Sequence, residues 1–359
     1  MYRLNTAIIA LHISLLFSLY CHPAVAQPAF TKPVDGSCRS VTLRTCEVAS
    51  ALGRGINLGE MLDAPTEGAW GNRVEQEYID QAAAAFKTIR LPVRFSNHAA
   101  LTEDATLDDF FAARVDNVID ALLARGVYVI LDLHGYDQLV GLPAAGGQAA
   151  VDAEVVDRRF LNIWEQLAVR YRNKPSRLIF ELLNEPVGRL ENGKWNVLGA
   201  QALAIVRKSN PDRVVVLGGT GYSGAKKLSE LVLGNDPNII VPVHTYDPFD
   251  FTHQGISWIK WLANTRKTCC DARQQKMITD NLDIARQWSI QNGYPITVGE
   301  FGSYQSADLS SRATWTRFMR DELEKRSFSW TYWSLVGGFG IYDTKTHAWI
   351  EPLRAALLD

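Results

Sequence analysis

Short, almost continuously apolar runs alternate along this chain with longer stretches whose apolar residues recur at helical spacing. Gly53-Arg-Gly-Ile-Asn-Leu58 reads as a first strand and 74–86 as the helix that follows it. Residues 87–93 form a second strand. Phe110, Phe111, Val115, Val118, Ile119 and Leu122 then mark a helix over 107–125, with Gly126 as its stop. The run 127–133 is apolar enough for a strand buried on both faces of a parallel sheet. A helix at 153–171 leads to a fourth strand from Arg177, which ends in Asn184-Glu185-Pro186. After it come a helix at 195–208, a strand at 213–217, a weaker helix at 226–233 and a strand at 238–244. A helix at 275–292, a strand at 296–299, a helix at 310–325 and a strand at 329–333 complete the alternation, and a short helix at 351–358 closes the chain.

Regular strand–helix alternation implies a parallel sheet, and eight units within about 300 residues predict a single-domain α/β fold, a (β/α)₈ TIM barrel. A doubly wound open sheet is the alternative. In a barrel the C-terminal rim carries the chemistry, and Arg90, His134, Asn184, Glu185, His244, Tyr246, Glu300 and Trp333 all fall at predicted C-terminal strand ends. A lone Arg or Trp in such a place is ordinarily structural; so many polar and aromatic residues on one rim point to a site. Burying a carboxylate costs free energy unless it is paired, hydrogen-bonded or protonated. Glu185 and Glu300 both end apolar strands, which suggests one active site with a carboxylate pair.

The composition narrows the partners. With 359 residues, 47% hydrophobic and 21% charged, the chain is of ordinary globular make-up. A net charge of −2 gives no basic surface for nucleic acid. Ten Trp and twelve Tyr offer faces for sugar rings, although most aromatic residues are packing. Residues 1–26 have the pattern of a signal peptide: Arg3, an apolar stretch over 7–20 and a small-residue cleavage site at Ala24-Val-Ala26. An uncleaved anchor is the other reading of that segment, but its apolar stretch is short for a bilayer. A secreted protein, extracellular or periplasmic, is therefore expected, with 27–359 as its catalytic domain. Export makes disulfides the expected state of Cys38, Cys46, Cys269 and Cys270, with Cys21 lost in the leader. Cys38 with Cys46 and Cys269 with Cys270 are one possible pairing.

The residues also carry a resemblance. Arg-Gly-Ile-Asn-Leu-Gly (54–59), Ile-Arg-Leu-Pro-Val-Arg (89–94), Phe-Glu-Leu-Leu-Asn-Glu-Pro (180–186), His-Thr-Tyr-Asp-Pro-Phe-Asp-Phe-Thr-His-Gln-Gly (244–255), Ile-Thr-Val-Gly-Glu-Phe-Gly (296–302) and Gly-Phe-Gly-Ile-Tyr-Asp (338–343) span the chain after the leader in order. The sequence resembles glycoside hydrolase family 5, retaining glycosidases of clan A, and most closely its bacterial endo-β-1,4-glucanases, or cellulases. The resemblance implies Glu185 as general acid/base and Glu300 as nucleophile. It implies Arg90 and Tyr246 as partners of the nucleophile and Asn184 as holder of a sugar 2-hydroxyl. His134 and His244 would line the site, and Trp333 would stack on the reacting sugar. The chain departs from the pattern where Gly135, not a second histidine, follows His134, and where Glu60 replaces an Asn common in relatives. Glu60 could bind a sugar hydroxyl but is expected to face solvent, and 141–147 reads as a flexible loop beside the cleft.

Other classes are weaker. Gly219-Thr-Gly-Tyr-Ser-Gly224 fits the dinucleotide fingerprint but follows the fifth strand and opens no strong helix. A metal hydrolase would want clustered ligands, yet His244 and His253 are nine apart and no His-x-His or H-E-x-x-H occurs. A non-catalytic sugar-binding protein would keep the aromatics without needing either glutamate. The sequence thus predicts a monomeric endo-β-1,4-glucanase acting on polysaccharide, free of cofactor and metal and off the membrane once its leader is removed. An endo-β-1,4-mannanase is the nearest alternative.

Overall fold

Eight parallel strands pair in sequence order and close on themselves. They are β1 Arg54–Asn57, β2 Thr88–Val93, β3 Tyr128–Leu133, β4 Leu178–Glu181, β5 Val215–Val216, β6 Ile239–His244, β7 Ile296–Glu300 and β8 Ser329–Tyr332. Closure is made by β8 pairing back onto β1, with Trp330 opposite Arg54, so the open sheet is ruled out. The computed structural model describes residues 31–142 and 151–359, of which Lys32–Asp359 is one compact unit. The expected leader at 1–26, with Cys21, and most of the loop at 141–147 lie outside the described residues.

Helices join the strands where the apolar periodicity placed them: Gln76–Ala85, Asp109–Ala124, Ala153–Tyr171, Lys194–Ser209, Ala272–Asn292, Leu309–Lys325 and Glu351–Leu358. Their starts are fixed by side chains accepting from otherwise unpaired backbone N–H groups. Asp108 accepts from Phe111, Asp308 from Ser311, and Asp271 forms a capping box with Gln274. The Ala272–Asn292 helix stops at Gly293, whose φ of 78° is left-handed and costs glycine little.

Three segments differ from the sequence expectation. The strand expected over 213–217 shrinks to Val215–Val216, because Arg213 turns inward to donate to the carbonyls of Leu178, Tyr171, Lys174 and Pro175. The weak helix at 226–233 is a single 3₁₀ stretch, Ala225–Glu230. Asn184 and Glu185, expected at the end of β4, lie beyond it, since pairing stops at Glu181. The turn that carries them is held by Trp164 Nε1 donating to the Leu182 carbonyl at 2.9 Å, the Asn184 N–H to Leu133 O at 3.0 Å and Ser223 Oγ to Asn184 O at 2.9 Å. Ser223 belongs to the glycine run that resembled a dinucleotide loop. That run forms a four-residue turn, Thr220–Ser223, and no long helix for a pyrophosphate to cap.

Two elements were not expected at all. A helix, Leu43–Leu52, covers the barrel end where the strands begin; Val48, Ala49 and Leu52 pack against Ile130, Ile179, Val214, Val216 and Ile240. Thr42 caps it, and Cys38 is bonded to Cys46 with a Cα separation of 5.7 Å. Cys269 and Cys270 are bonded to each other. After β8 a small antiparallel hairpin pairs Tyr342–Asp343 with Ala348–Trp349. Leu52 is 1% exposed, so Leu52→Ala should cost about 2–5 kcal/mol through the cavity it opens. Urea unfolding measures this directly, with steady-state kinetics at low temperature unchanged.

Candidate active site

The site is assembled around Arg90. Alternation along the strands turns Asn57, Arg90, Asp132 and Glu181 into the barrel, where all four are buried. Arg90 Nε donates to Glu181 Oε2 at 2.7 Å and Nη2 to Glu181 Oε1 at 2.9 Å, a bidentate pair. Nη2 also donates to Asn184 Oδ1 at 2.7 Å and lies 3.0 Å from Asp132 Oδ2. Nη1 donates to Asn57 Oδ1 at 3.0 Å and to Glu300 Oε1 at 2.8 Å. One guanidinium therefore ties together residues of β1, β3, β4 and β7.

The cation is outnumbered. Asp132, Glu181 and Glu300 all touch it and Glu185 stands close by, so the cluster stays near neutrality only by retaining protons. Burial pushes Asp132 up to about 7 against the pull of Arg90, and pushes Glu185 up to about 7 as well. Glu181 is raised by the same cause. The imidazoles supply no compensating charge, because burial drives His134 and His244 down to about 4.

The two rim glutamates have different surroundings. Both oxygens of Glu300 accept strong donors: Arg90 Nη1, and Tyr246 Oη at 2.9 Å. Burial raises this carboxyl, Arg90 opposes the rise, and the two donors favour the anion. Glu185 has no cation in contact; its Oε1 lies 2.8 Å from His244 Nδ1. A neutral imidazole nitrogen there can accept from a carboxylic acid or, as Nδ1–H, donate to a carboxylate. His244 also stands 3.8 Å from Glu300 Oε2. It is brought there by a slip in the β6–β7 register at Val243/His244 that sets it opposite Glu300.

His134 is fixed from the other side of Arg90. Its Nδ1 is 2.7 Å from Asp132 Oδ2, and its Nε2 is 3.4 Å from Asn184 Nδ2. With the ring neutral, Nδ1–H donates to Asp132 and the Asn184 amide donates to Nε2, which orients Asn184 with its oxygen on Arg90. Trp333 stacks on His134, 5.5 Å between centroids at 14°. Only 9% of Trp333 is exposed, so it offers a narrow strip rather than an open platform. The open aromatic faces are those of Trp70, Trp258 and Trp261, which the sequence pattern did not single out.

All eight expected site residues thus converge on one rim. Asp132, Glu181 and Asn57 were missed, although a charged residue within an apolar strand, as in Leu-Asp-Leu and Phe-Glu-Leu, was a usable signal. The space left by Gly135 is filled by the Arg94 guanidinium, which would overlap any Cβ there. Glu60, expected to face solvent, instead turns into a cleft of about 960 Å³ beside Trp333. Among the described residues a cation could be held only where Glu185, His244 and Glu300 bring ligand atoms within 4.8 Å of one another. Those atoms already serve one another and the donors Arg90 and Tyr246, so the donor set suits proton transfer better than metal ligation.

A closed (β/α)₈ barrel that gathers a carboxyl pair, an arginine and aromatic residues on its C-terminal rim defines a glycoside hydrolase. The comparisons agree. The family model for cellulase (glycosyl hydrolase family 5) matches residues 50–338, and the chain belongs to that family. It is similar to endoglucanase H of Acetivibrio thermocellus, 33% identical over 320 residues, which covers 87% of this chain and 33% of that protein. The cellulase/esterase CelE of the same organism is 27% identical over 346 residues, 90% of this chain and 41% of that one. The chain thus spans well under half the length of these two relatives. Crystal structures of Thermotoga maritima Cel5A superpose with a TM-score of 0.82 in complex with mannotriose and 0.81 with cellobiose. Each is 38% identical and covers 87% of this chain and 99% of its own.

Proposed function

We propose that the protein is a secreted, retaining endo-β-1,4-glucanase, in which Glu300 is the nucleophile and Glu185 the general acid/base. The observation that carries this reading is the contrast between the two carboxyls. Burial raises both, but Glu300 is held by the donors Arg90 and Tyr246, which favour its anion, while Glu185, without a cation in contact among the described residues, rises to about 7. An attacking carboxylate must be ionised and a general acid must keep its proton. The two carboxyls bring ligand oxygens within 4.8 Å of one another, which favours the ~5–5.5 Å spacing of retention over the ~6.5–9.5 Å of inversion.

The steps follow. A Glu300 oxygen attacks the anomeric carbon while Glu185 gives its proton to the leaving glycosidic oxygen, breaking the carbon–oxygen bond and leaving a glycosyl ester on Glu300. Glu185, now a carboxylate that can accept from His244 Nδ1–H, takes a proton from water. The hydroxide equivalent displaces Glu300, and both acids return to their starting states. Arg90 and Tyr246 stabilise the carboxylate as it is released. Asn184 lies beside them, oriented for the sugar 2-hydroxyl, and His134 and Trp333 complete the wall.

A β-1,4-glucan is the favoured substrate because the named relatives are endoglucanases and cellulases. Cel5A of Thermotoga maritima has been solved with both mannotriose and cellobiose, which keeps β-1,4-mannan as the second reading. Secretion rests on the leader-like residues 1–26. Hydrolysis of β-glucan, lichenan, mannan and xylan, followed over pH with product sizing, tests the whole proposal. With Glu185 as the acid, kcat/KM falls as pH rises through about 7, because the proton it must donate is lost there. A profile flat to pH 9, or products consisting only of monosaccharide, would sink the acid assignment or the endo-acting claim respectively.

A further inference from the structure

The cleft beside Trp333 contains an acid that the reaction described above does not use. Glu60 sits in the loop after β1 with φ at 63°, a left-handed conformation that side-chain-bearing residues rarely adopt. The neighbouring chain is shaped around it. A Cβ on Gly337 would overlap the Glu60 carboxyl, and the Gly338 N–H donates to it at 3.3 Å. That long contact is its only hydrogen bond among the described residues, and no lysine or arginine pairs with it. A strained backbone and a glycine-lined socket hold a half-buried carboxyl with spare lone pairs against an aromatic cleft; such strain is commonly stored at functional sites.

The direction of the cleft tells which part of a substrate arrives there. The leaving group must lie by Glu185, after β4, while the anomeric carbon faces Glu300 on β7. Sugars retained on Glu300 would then extend the other way, past Trp333, where the cleft is lined by Glu60, Trp70, Trp258, Tyr304 and Trp333.

Resting on the hydrolase reading above, we propose that Glu60 is a specificity-determining residue that accepts hydrogens from free hydroxyls of the retained sugar next to the one being cleaved. A carboxylate can take two such donors side by side and suits a unit whose hydroxyls are unsubstituted. An alkylated or esterified unit leaves it unsatisfied. The contact is made to the whole glycone, in ground state and transition state alike, so it acts on KM rather than on kcat.

Proton uptake gives this contact a signature of its own. Burial raises Glu60 to about 7, with nearby Asp63 adding to the rise and the Gly338 N–H opposing it. The other charged groups of the cleft are Asp343, Lys345 and Arg312, of which Arg312 is engaged by the Phe339 and Gly340 carbonyls; Tyr304 and Tyr342 are the remaining titratable side chains. Glu60 therefore ionises as pH rises through about 7 and binding tightens, the opposite sign to the loss of the Glu185 proton.

The test compares aryl β-cellobioside, which has the second sugar, with aryl β-glucoside, which lacks it, for the wild type, Glu60→Gln and Glu60→Ala at pH 5 and pH 8. For the cellobioside, Glu60→Gln should raise KM on the order of tenfold at pH 8, the loss of one charge-assisted hydrogen bond, with kcat within about twofold. The rise at pH 5 should be small, and Glu60→Ala should follow the same pattern. The glucoside should show equal kcat/KM in wild type and Glu60→Gln. Equal losses on both substrates would reveal a structural role and overturn the proposal, as would an unchanged KM for the cellobioside. Release of aryl alcohol from neither substrate by the wild type would overturn the hydrolase reading itself.

Discussion

Replacing Glu300 with alanine is expected to lower kcat on soluble β-glucan by on the order of 10⁴-fold or more, the scale seen when the nucleophile of a covalent catalyst is removed. The barrel should survive, because the shortened side chain leaves Arg90 still paired with Glu181 and Asp132. The vacated space lies between the Arg90 guanidinium and the Tyr246 hydroxyl, both of which keep pointing donors into it. A small anion such as azide should occupy that position and attack the anomeric carbon of an activated aryl glycoside. Its product would have the inverted configuration, since only one displacement takes place. Proton NMR of the glycosyl azide reads the configuration. Undiminished hydrolysis by Glu300→Ala, or a retained product in azide, would remove Glu300 from the role of nucleophile.

Arg90→Met should have the largest effect on stability, about 3–5 kcal/mol at neutral pH, because it strips three buried carboxyls of their shared cation. Arg90→Lys should recover little of it. A lysine ammonium cannot reproduce the fork that meets Glu181 through two nitrogens while reaching Asn57, Asn184 and Glu300. The loss should also depend on pH in a defined sense. Without Arg90, the folded-state affinities of Asp132, Glu181 and Glu300 for protons rise further above their unfolded values. Stability from such raised carboxyls is intact below about pH 4 and fades as pH increases through the folded-state values. The variant should therefore be destabilised less at pH 5 than at pH 8 in urea titrations. A pH-independent loss would argue for a packing defect, with the carboxyls balanced by something else.

The barrel was readable in the chain because each strand is a short apolar run set between helical spacings. The helices at 153–171 and 351–358 fall at the expected bounds for that reason. The fifth unit was less legible. Arg213 to Leu217 look like a longer strand, but what shortens it is Arg213 itself, whose side chain finds carbonyls remote in sequence. The helix Leu43–Leu52 escaped notice because its apolar face is matched only by residues brought together at the far end of the barrel. For the site, Glu185 and Glu300 stood out as acids ending apolar strands. Asp132 and Glu181 are just as improbable inside β3 and β4, but their meaning depends on Arg90 projecting between them, which is a property of register rather than of spacing. Trp333 and Glu60 show the same limit in opposite directions. The ring expected to stack on a sugar is itself stacked on His134 and largely buried, and the acid expected in water is folded into the cleft.

The helix Leu43–Leu52 also fixes an order of events. It comes before every strand in the chain, yet its docking surface includes Val214, Val216 and Ile240, and Thr45 donates through its hydroxyl to Asn238 at 2.9 Å. This helix is made before every described strand, yet it cannot complete its docking until nearly two hundred further residues have followed. Contacts this remote in sequence are slow to form. A chain halted before β6 would carry this helix incompletely docked and the lower mouth of the barrel open, so a segment made ahead of every described strand is among the last to reach its place.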